Sequence, residues 1–212
     1  MLRGTRIIEF EEAKEFVNAI DRLRSIMAES RIEELIFPSL WEASTFNAKL
    51  GAEKETQIWR FEDRKARQCC LVPEVTGMAQ QMWREKWMTS MPDPFRFFYV
   101  QRCYRYERPQ MGRYREFTQF GVEIMSRRPA AYADEARALL SRCVGALGID
   151  CEFIPSVKRG ISYYVDDGFE VLCPGLGAQK QVAGGGTYGE GVGWAIGVDR
   201  VVLAALTERK NK

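Results

Sequence analysis

Histidine is absent from all 212 residues of the chain. That removes the commonest general base and the commonest metal ligand. Any chemistry must therefore rest on carboxylates, arginines, a bound metal or the substrate itself. No apolar run approaches the ~20 residues of a membrane helix. The N-terminal stretch MLRGTRIIEFEEAKEF has no apolar core followed by a small-residue cleavage site. A cytoplasmic protein without a membrane partner is expected. The six cysteines (Cys69, Cys70, Cys103, Cys143, Cys151, Cys173) form no CxxC pair and sit within apolar runs, as reduced core residues do. Net charge is only +2, so no global basic field marks a nucleic-acid binder, and such contact must come from local clustering. There is no repeat and no low-complexity linker. With 46% hydrophobic and 28% charged residues, the length suits one folded domain spanning residues 1–212.

What the chain does have is concentrated in residues 97–125, FFYVQRCYRYERPQMGRYREFTQFGVEIM. Five arginines (Arg102, Arg105, Arg108, Arg113, Arg115), three glutamates and several aromatics occur there, and no lysine. Two strand-forming runs flank Pro109, Gln110, Met111 and Gly112, a turn signal, which predicts a β-hairpin. Alternation places Arg115, Phe117, Gln119, Gly121 and Glu123 on one face and Thr118, Phe120, Val122 and Ile124 on the other. The apolar face can pack, which frees the polar one. Guanidinium forks suit phosphate or carboxylate oxygens. Two readings stand on these residues alone, a ligand-binding face and a salt-bridged solvated hairpin.

Elsewhere, apolar residues at helical spacing predict helices over residues 11–30 (Phe16, Ile20, Leu23, Ile26, Met27), 74–86 and 129–147, the last stopped by Gly148. A short helix is expected over residues 41–50, and a closing one over 199–206. Strands are expected at 34–38, 57–61, 68–72, 151–155, 161–165, 169–173, 180–184 and 193–196. An Asp166-Asp167-Gly168 turn joins two of them. Strands in hairpin-joined runs favour an α+β fold, an antiparallel sheet flanked by helices, over a parallel doubly wound one. Gly184, Gly185, Gly186, Gly189, Gly191, Gly193 and Gly197 form a second unusual patch. No GK[ST] follows, so it is not a P-loop. A flexible loop is its simplest reading, and close backbone approach to a flat ligand the other. Arg200, entering a helix beside this patch, is a further anion or adenine support.

Taken together these pieces resemble the catalytic domain of class II aminoacyl-tRNA synthetases, and within them histidyl-tRNA synthetase. The first helix, strand and Pro38 are similar to motif 1. Tyr104 to Glu107 with Arg113-x-x-x-Phe117 is similar to motif 2, and residues 193–200 to motif 3. ERPQMGRYREFTQFGVE, ending at Glu123, resembles the histidyl version of motif 2, and Arg159-Gly160-Ile161-Ser162-Tyr163-Tyr164 resembles its RGLDYY.

The resemblance implies that ATP with Mg2+ activates an amino acid, histidine above all, as the aminoacyl-adenylate. It implies tRNA, met through its acceptor stem, as acceptor and a homodimer through residues around 32–40. Arg105 is the implied ligand of the α-phosphate and Arg113 of the γ-phosphate. Glu107 joins them at the ATP, Phe117 stacks on adenine, and Arg200 braces the nucleotide from the other side. Glu74, Thr76 and Gln119 bind the α-ammonium, and Arg159 sits by the carboxylate and α-phosphate. Glu123, Tyr163, Tyr164 and Tyr188 surround the side chain. Because the nucleophile is already a carboxylate, no histidine base is required.

Departures from the family pattern are Val72 for the arginine of LRPE, Ser162 for the aspartate of RGLDYY, Thr187 and Gly189 within GGRYD, and Asp199 for a glutamate. Only 35 residues separate Glu123 from Arg159, too few for the family's insertion domain, and an anticodon-binding domain is not expected. Two alternatives remain, a non-catalytic regulatory or ligand-sensing paralogue and an amino acid ligase with a non-tRNA acceptor.

Overall fold

The computed structural model describes residues 1–47, 56–157, 165 and 168–210. Its centre is a seven-stranded sheet, flanked by a smaller three-stranded sheet. The elements are α1 (Phe10–Glu29), β1 (Glu33–Glu34), β2 (Leu40–Glu42), β3 (Arg60–Glu62), β4 (Gln68–Leu71) and α2 (Thr76–Met82). Then come β5 (Phe95–Tyr104), β6 (Glu116–Met125), α3 (Ala133–Leu147), β7 (Glu152–Val157), β8 (Gly168–Leu172), β9 (Gln181–Tyr188), β10 (Gly191–Gly197) and α4 (Val198–Lys210). The large sheet runs β1-β5-β6-β10-β9-β8-β7, and the small one β2-β4-β3. Every pairing is antiparallel except that of the edge strand β1 with β5. The expected α+β architecture is the observed one.

Strand alternation divides the large sheet into two working faces. One carries Phe98, Phe120, Val122, Ile124, Val192, Trp194 and Ile196 against α1, α3 and α4. From α1 it receives Ala19, Leu23 and Met27, spaced four residues apart, and from α3 Ala136, Leu140, Cys143 and Leu147. Burying each large side chain there contributes about 1.5–3 kcal/mol. Gly148 closes α3 at φ +66°, the left-handed cap its position predicts. On the opposite face Phe97, Tyr99, Met125 and Tyr188 pack against Phe46, Val72, Met78, Trp83 and Trp87. This second core seats α2 and the small sheet over one end of the sheet and leaves the other end open.

Several expected elements differ in extent. Residues 41–50 do not form a helix from Trp41. The chain continues β2 to Glu42 and then makes a 3-10 turn, Ala43–Phe46, because Trp41 and Glu42 pair with Cys70 and Cys69. Residues 48–50 lie outside the described residues, as do the strand at 161–164 and Asp166 and Asp167 of the turn. The helix expected over 74–86 starts at Thr76 and passes through a π turn, Trp83–Trp87. Its Gly77 N–H is satisfied by the Glu74 carboxylate at 2.8 Å. The glycine run is not a loop. Gly184, Gly185 and Gly186 lie inside β9, paired with Ala195, Trp194 and Gly193 of β10. Tertiary pairing overrides the weak strand propensity of glycine, because the neighbouring strands supply partners for every backbone amide.

Gly121 is required by packing. A Cβ at this position would overlap the Tyr99 ring, which is buried beside it in the cross-strand pair. Gly121→Ala is expected to destabilise the protein by about 1–3 kcal/mol through displacement of that ring. Chemical denaturation of the two proteins checks this, and a matched midpoint with an unchanged slope refutes it.

Candidate active site

The open end of the large sheet forms a cleft of about 370 Å3, within the range of small-ligand sites. Its floor is made by alternation. Gly191, Gly193, Ala195 and Gly197 share one face of β10, of which Ala195 and Gly197 line the cleft while Tyr188 and Glu123 fill the space beside Gly191 and Gly193; the intervening Val192, Trp194 and Ile196 belong to the core. Gly121 of β6 and Gly184 of β9 lie in register on either side of Ala195. Gly184, Ala195 and Gly197 of two adjacent strands thus offer nearly bare backbone to the cleft, a flat surface that a planar group can approach closely, while the Tyr99 ring covers Gly121 beside them.

Guanidiniums stand around this floor. Arg105 follows the end of β5, with Nε donating to Pro73 O at 3.0 Å and Cζ 5.0 Å from the centroid of Phe117. Arg113 lies across the hairpin turn, where Gln110 and Arg113 exchange backbone hydrogen bonds at 2.9 and 3.1 Å, and its Nε is paired with Glu107. Arg200 enters from the first turn of α4. It donates to Gly112 O at 2.8 Å, Gln181 O at 2.7 Å and Gln179 Oε1 at 3.2 Å. Those three bonds engage each of its nitrogens in the guanidinium plane and leave its flat faces for stacking. Burial pushes the Arg200 pKa below its ordinary value, opposed by Glu107, while Arg113 and Arg105 press it down further. Like charges collected in a half-buried cleft repel one another, and a polyanion relieves that repulsion.

The carboxylates of the cleft are already engaged. Glu107 holds Arg113, Glu74 accepts from Gly77 N–H, and Asp199 accepts from Arg6 Nη2 and the Thr118 N–H, both at 2.7 Å. Among the described residues no cluster of three or more His, Cys, Asp or Glu can hold a metal ion. Such a site fits Mg2+ arriving on a nucleotide, since Mg2+ is commonly held by one or two carboxylates together with substrate phosphates.

Toward the α2 end the cleft continues past Gln119 to Glu74, Thr76 and Tyr99. Gln119 Oε1 accepts a contact from Cys103 Sγ at 3.2 Å. Thr76 leads below the surface, its hydroxyl donating to Glu123 Oε1 at 2.6 Å, and the Tyr188 hydroxyl reaches Glu123 Oε2 at 2.6 Å and Met125 Sδ at 3.3 Å. Glu123 and Tyr188 are fully buried and do not line the cleft. The Glu123 side chain lies where a Cβ of residue 193 would be, so only glycine fits there. Burial raises the Glu123 pKa to about 8, against the pull of Thr76 and Tyr188, with Glu74 raising it further. Thr76, Tyr188 and the sulfur of Met125 suit either protonation state. Tyr188 can donate to the carboxylate, or accept from the acid while donating to sulfur.

The structure therefore brings together Arg105, Glu107, Arg113, Phe117, Arg200, Glu74, Thr76 and Gln119 around one cleft, with Glu123 and Tyr188 beneath it. Arg159, Tyr163 and Tyr164 lie outside the described residues. Arg115, placed on the ligand face by alternation, is directed away. It precedes β6, its guanidinium is 3.8 Å from the Tyr106 ring centroid, and it bonds Glu107 O and Arg3 O. Sequence reasoning missed Gln179, Lys180 and Gln181 as wall residues, and Tyr114 and Arg6 as supports. None of them carried a pattern; only the acidic residue at the start of the last helix, Asp199, hinted at this corner.

Comparison with known proteins fits this geometry. Residues 59–192 match the model of the tRNA synthetase class II core domain (G, H, P, S and T). The chain is 25% identical over 315 residues to the histidine–tRNA ligase of Archaeoglobus fulgidus, covering 99% of this chain and 77% of that relative. The aligned stretch of the relative is much longer than this chain, so an internal segment there has no counterpart here. With the histidine–tRNA ligase of Sulfolobus acidocaldarius it shares 32% over 159 residues, 74% of this chain and 37% of that one. The chain spans between about a third and three quarters of these curated relatives. In fold it matches the apo histidyl-tRNA synthetase of S. aureus with a TM-score of 0.80 at 21% identity, over 99% of this chain and 70% of that one. It matches a histidine–tRNA ligase subunit of Alicyclobacillus acidocaldarius with a TM-score of 0.84 at 16% identity, over 100% and 98%. With most of its sheet and cleft inside the matched region, the chain belongs to the class II tRNA synthetase core-domain family.

Proposed function

We propose that the protein activates histidine with ATP, forming histidyl-adenylate and pyrophosphate, and that it passes the histidyl group to tRNA. The observation that carries this is the continuity of one cleft, from three guanidiniums and an aromatic plate to a hydroxyl that leads to a buried acid. In this reading Arg105 holds the α-phosphate and Arg113 with Glu107 the γ-phosphate and its Mg2+. Adenine lies on the bare β10 floor between Phe117 and the flat face of Arg200. Arg105 stands 5.0 Å from the Phe117 ring centroid, which places the phosphate-binding and adenine-stacking groups side by side.

Glu74, Thr76 and Gln119 take the α-ammonium, and Arg159 takes the carboxylate. Tyr163 and Tyr164 complete the side-chain pocket with Glu123 and Tyr188. The amino acid carboxylate attacks the α-phosphorus, the bond to the bridging oxygen breaks, and pyrophosphate leaves. Every participant is already charged, so the protein's part is positioning and charge stabilisation rather than proton transfer. A ribose hydroxyl of the tRNA terminus then takes the histidyl group and AMP leaves. Retention of the phosphate-binding arginines favours a catalyst over a ligand-sensing paralogue. A cytoplasmic location is part of the same proposal; among the described residues no helix is long and apolar enough to cross a membrane.

A homodimer through residues 32–40 accompanies this reading. Ile36 is 92% and Leu40 55% exposed beside the edge strand β1, apolar surface that a second copy can cover, while Ile32 is buried within its own subunit. Light scattering at micromolar concentration is expected to give twice the chain mass, and Ile36→Glu to shift it toward the monomer. A monomeric wild type refutes the interface.

ATP–pyrophosphate exchange is expected with histidine and with none of the other amino acids. Arg105→Ala and Arg159→Ala are each expected to lower the rate at least ~100-fold. Exchange that does not depend on histidine refutes the reading. Acid-precipitable label on tRNA after incubation with ATP and labelled histidine separates a tRNA ligase from one with another acceptor.

Glu123 gives a pH signature. Its native pKa lies above the ordinary carboxyl value, so between about pH 4.5 and 8 the native state binds a proton that the unfolded state has released. Stability is full below that window, falls through it as pH rises, and levels off above it. Glu123→Gln is expected to abolish that slope, leaving a difference of about a few kcal/mol between its pH profile and that of the wild type. Parallel profiles from urea unfolding at several pH values refute it.

A further inference from the structure

Residues 1–9 belong to no helix or strand, yet they are tied to the cleft at several points. Thr5 closes a turn on Leu2 O through its N–H at 3.1 Å and its hydroxyl at 2.8 Å. Gly4, at φ +86°, is pressed against the hairpin loop, where a Cβ would meet Arg115 Cγ at 2.8 Å and Pro109 Cγ at 2.9 Å. The Gly4 carbonyl accepts the Arg115 N–H at 2.7 Å, and the Arg3 carbonyl accepts from Arg115 Nη1 at 3.2 Å. The strap then sends Arg6 inward. Its side chain is 18% exposed, and its guanidinium sits 4.3 Å from the Tyr114 ring centroid. One terminal nitrogen pairs with Glu12 of α1, and the other lies 2.7 Å from Asp199 Oδ1.

Asp199 occupies a gap in the sheet. β10 pairs with β6 only as far as Gly197 with Gln119, after which the chain turns into α4. The next position of β6, Thr118, still pairs with Arg102 of β5 but has no strand partner on the β10 side. Asp199 Oδ2 takes that N–H at 2.7 Å, so a carboxylate finishes the ladder. Thr118 stands between Phe117 and Gln119, and Asp199 precedes Arg200. A buried carboxylate with one N–H donor and no cation is costly. Without Arg6, its cationic neighbour in the cleft is Arg200, and turning toward it releases Thr118.

We propose that Arg6 is a positioning residue of the nucleotide site, holding Asp199 so that α4 and β6 keep Arg200 and Phe117 facing each other across the cleft. The role of that pair rests on the reading of the cleft as a MgATP site. Arg6 itself touches no reacting atom.

The test is a double-mutant cycle on the full chain, with MgATP affinity measured by calorimetry and exchange of the Thr118 amide by mass spectrometry. Arg6→Ala is expected to weaken MgATP about 10-fold and to speed Thr118 exchange. In an Asp199→Asn background it is expected to change neither further. Arg142→Ala, which breaks an exposed pair with Glu29 remote from the cleft, is expected to leave both readouts at the wild-type value. Wild-type affinity and exchange in Arg6→Ala overturn the proposal, as do additive effects in the double variant or equal effects in Arg142→Ala. Should Arg6→Ala not fold, Arg6→Lys decides on the same readouts, with partial weakening expected and wild-type behaviour overturning it. If the wild type binds no MgATP, the nucleotide reading falls while Thr118 exchange still decides the role of Arg6.

Discussion

The molecule depends on one constraint, the alternation of side chains along β6 and β10 in a sheet that must be buried on one face and open on the other. Phe120, Val122 and Ile124 of β6 interleave with Val192, Trp194 and Ile196 of β10 to make the surface on which α1 and α3 pack. The residues between them face the other side of the sheet, toward the cleft at one end and the second core at the other. On β6 they are Phe117, Gln119, Gly121 and Glu123, and on β10 Gly191, Gly193, Ala195 and Gly197. A slip of one residue would exchange the two sets, burying the cleft and exposing the core. The same pairing that stabilises the fold therefore specifies the site.

The open face is costly, and its cost is met by local pairing. Arg113 is balanced by Glu107, Arg200 is bonded to two carbonyls and a glutamine, and Asp199 joins Arg6 to the end of β6. Among the described residues Glu123 has no cation within its hydrogen-bond shell, and burial raises its pKa to about 8. A protonated acid beneath the cleft, with a tyrosine able to donate or accept, suits a ligand that itself carries both a donor and an acceptor nitrogen.

Legibility differed from element to element. The hairpin could be read because its strands alternate cleanly and Pro109 and Gly112 punctuate the turn, and the two long helices because their apolar stripes recur at helical spacing. The glycine run read as a loop because glycine has low strand propensity. Its alternation with Val192, Trp194 and Ile196 carried the correct signal, but only pairing with β6 and β9 gives that alternation a floor to form. Trp41 lies in a helix-like segment that became a strand, since Cys70 sits opposite it. Arg115 fell on the ligand face by strict alternation, yet β6 begins one residue later and Arg115 turns to Tyr106.

By itself the sequence determined the chemistry available: no histidine, an arginine-rich hairpin, an acid ten residues beyond Arg113, and glycines spaced two apart. These depend on residue type and local period, which are written along the chain. Only the tertiary structure decided that Arg6 would stand 193 positions away from its partner Asp199 and 2.7 Å from it, that Tyr188 and Thr76 would share one buried carboxyl, and that Tyr99 would need Gly121. Those contacts join residues remote in sequence through strand order and packing, and no local pattern encodes a partner that the chain reaches only after the sheet has closed.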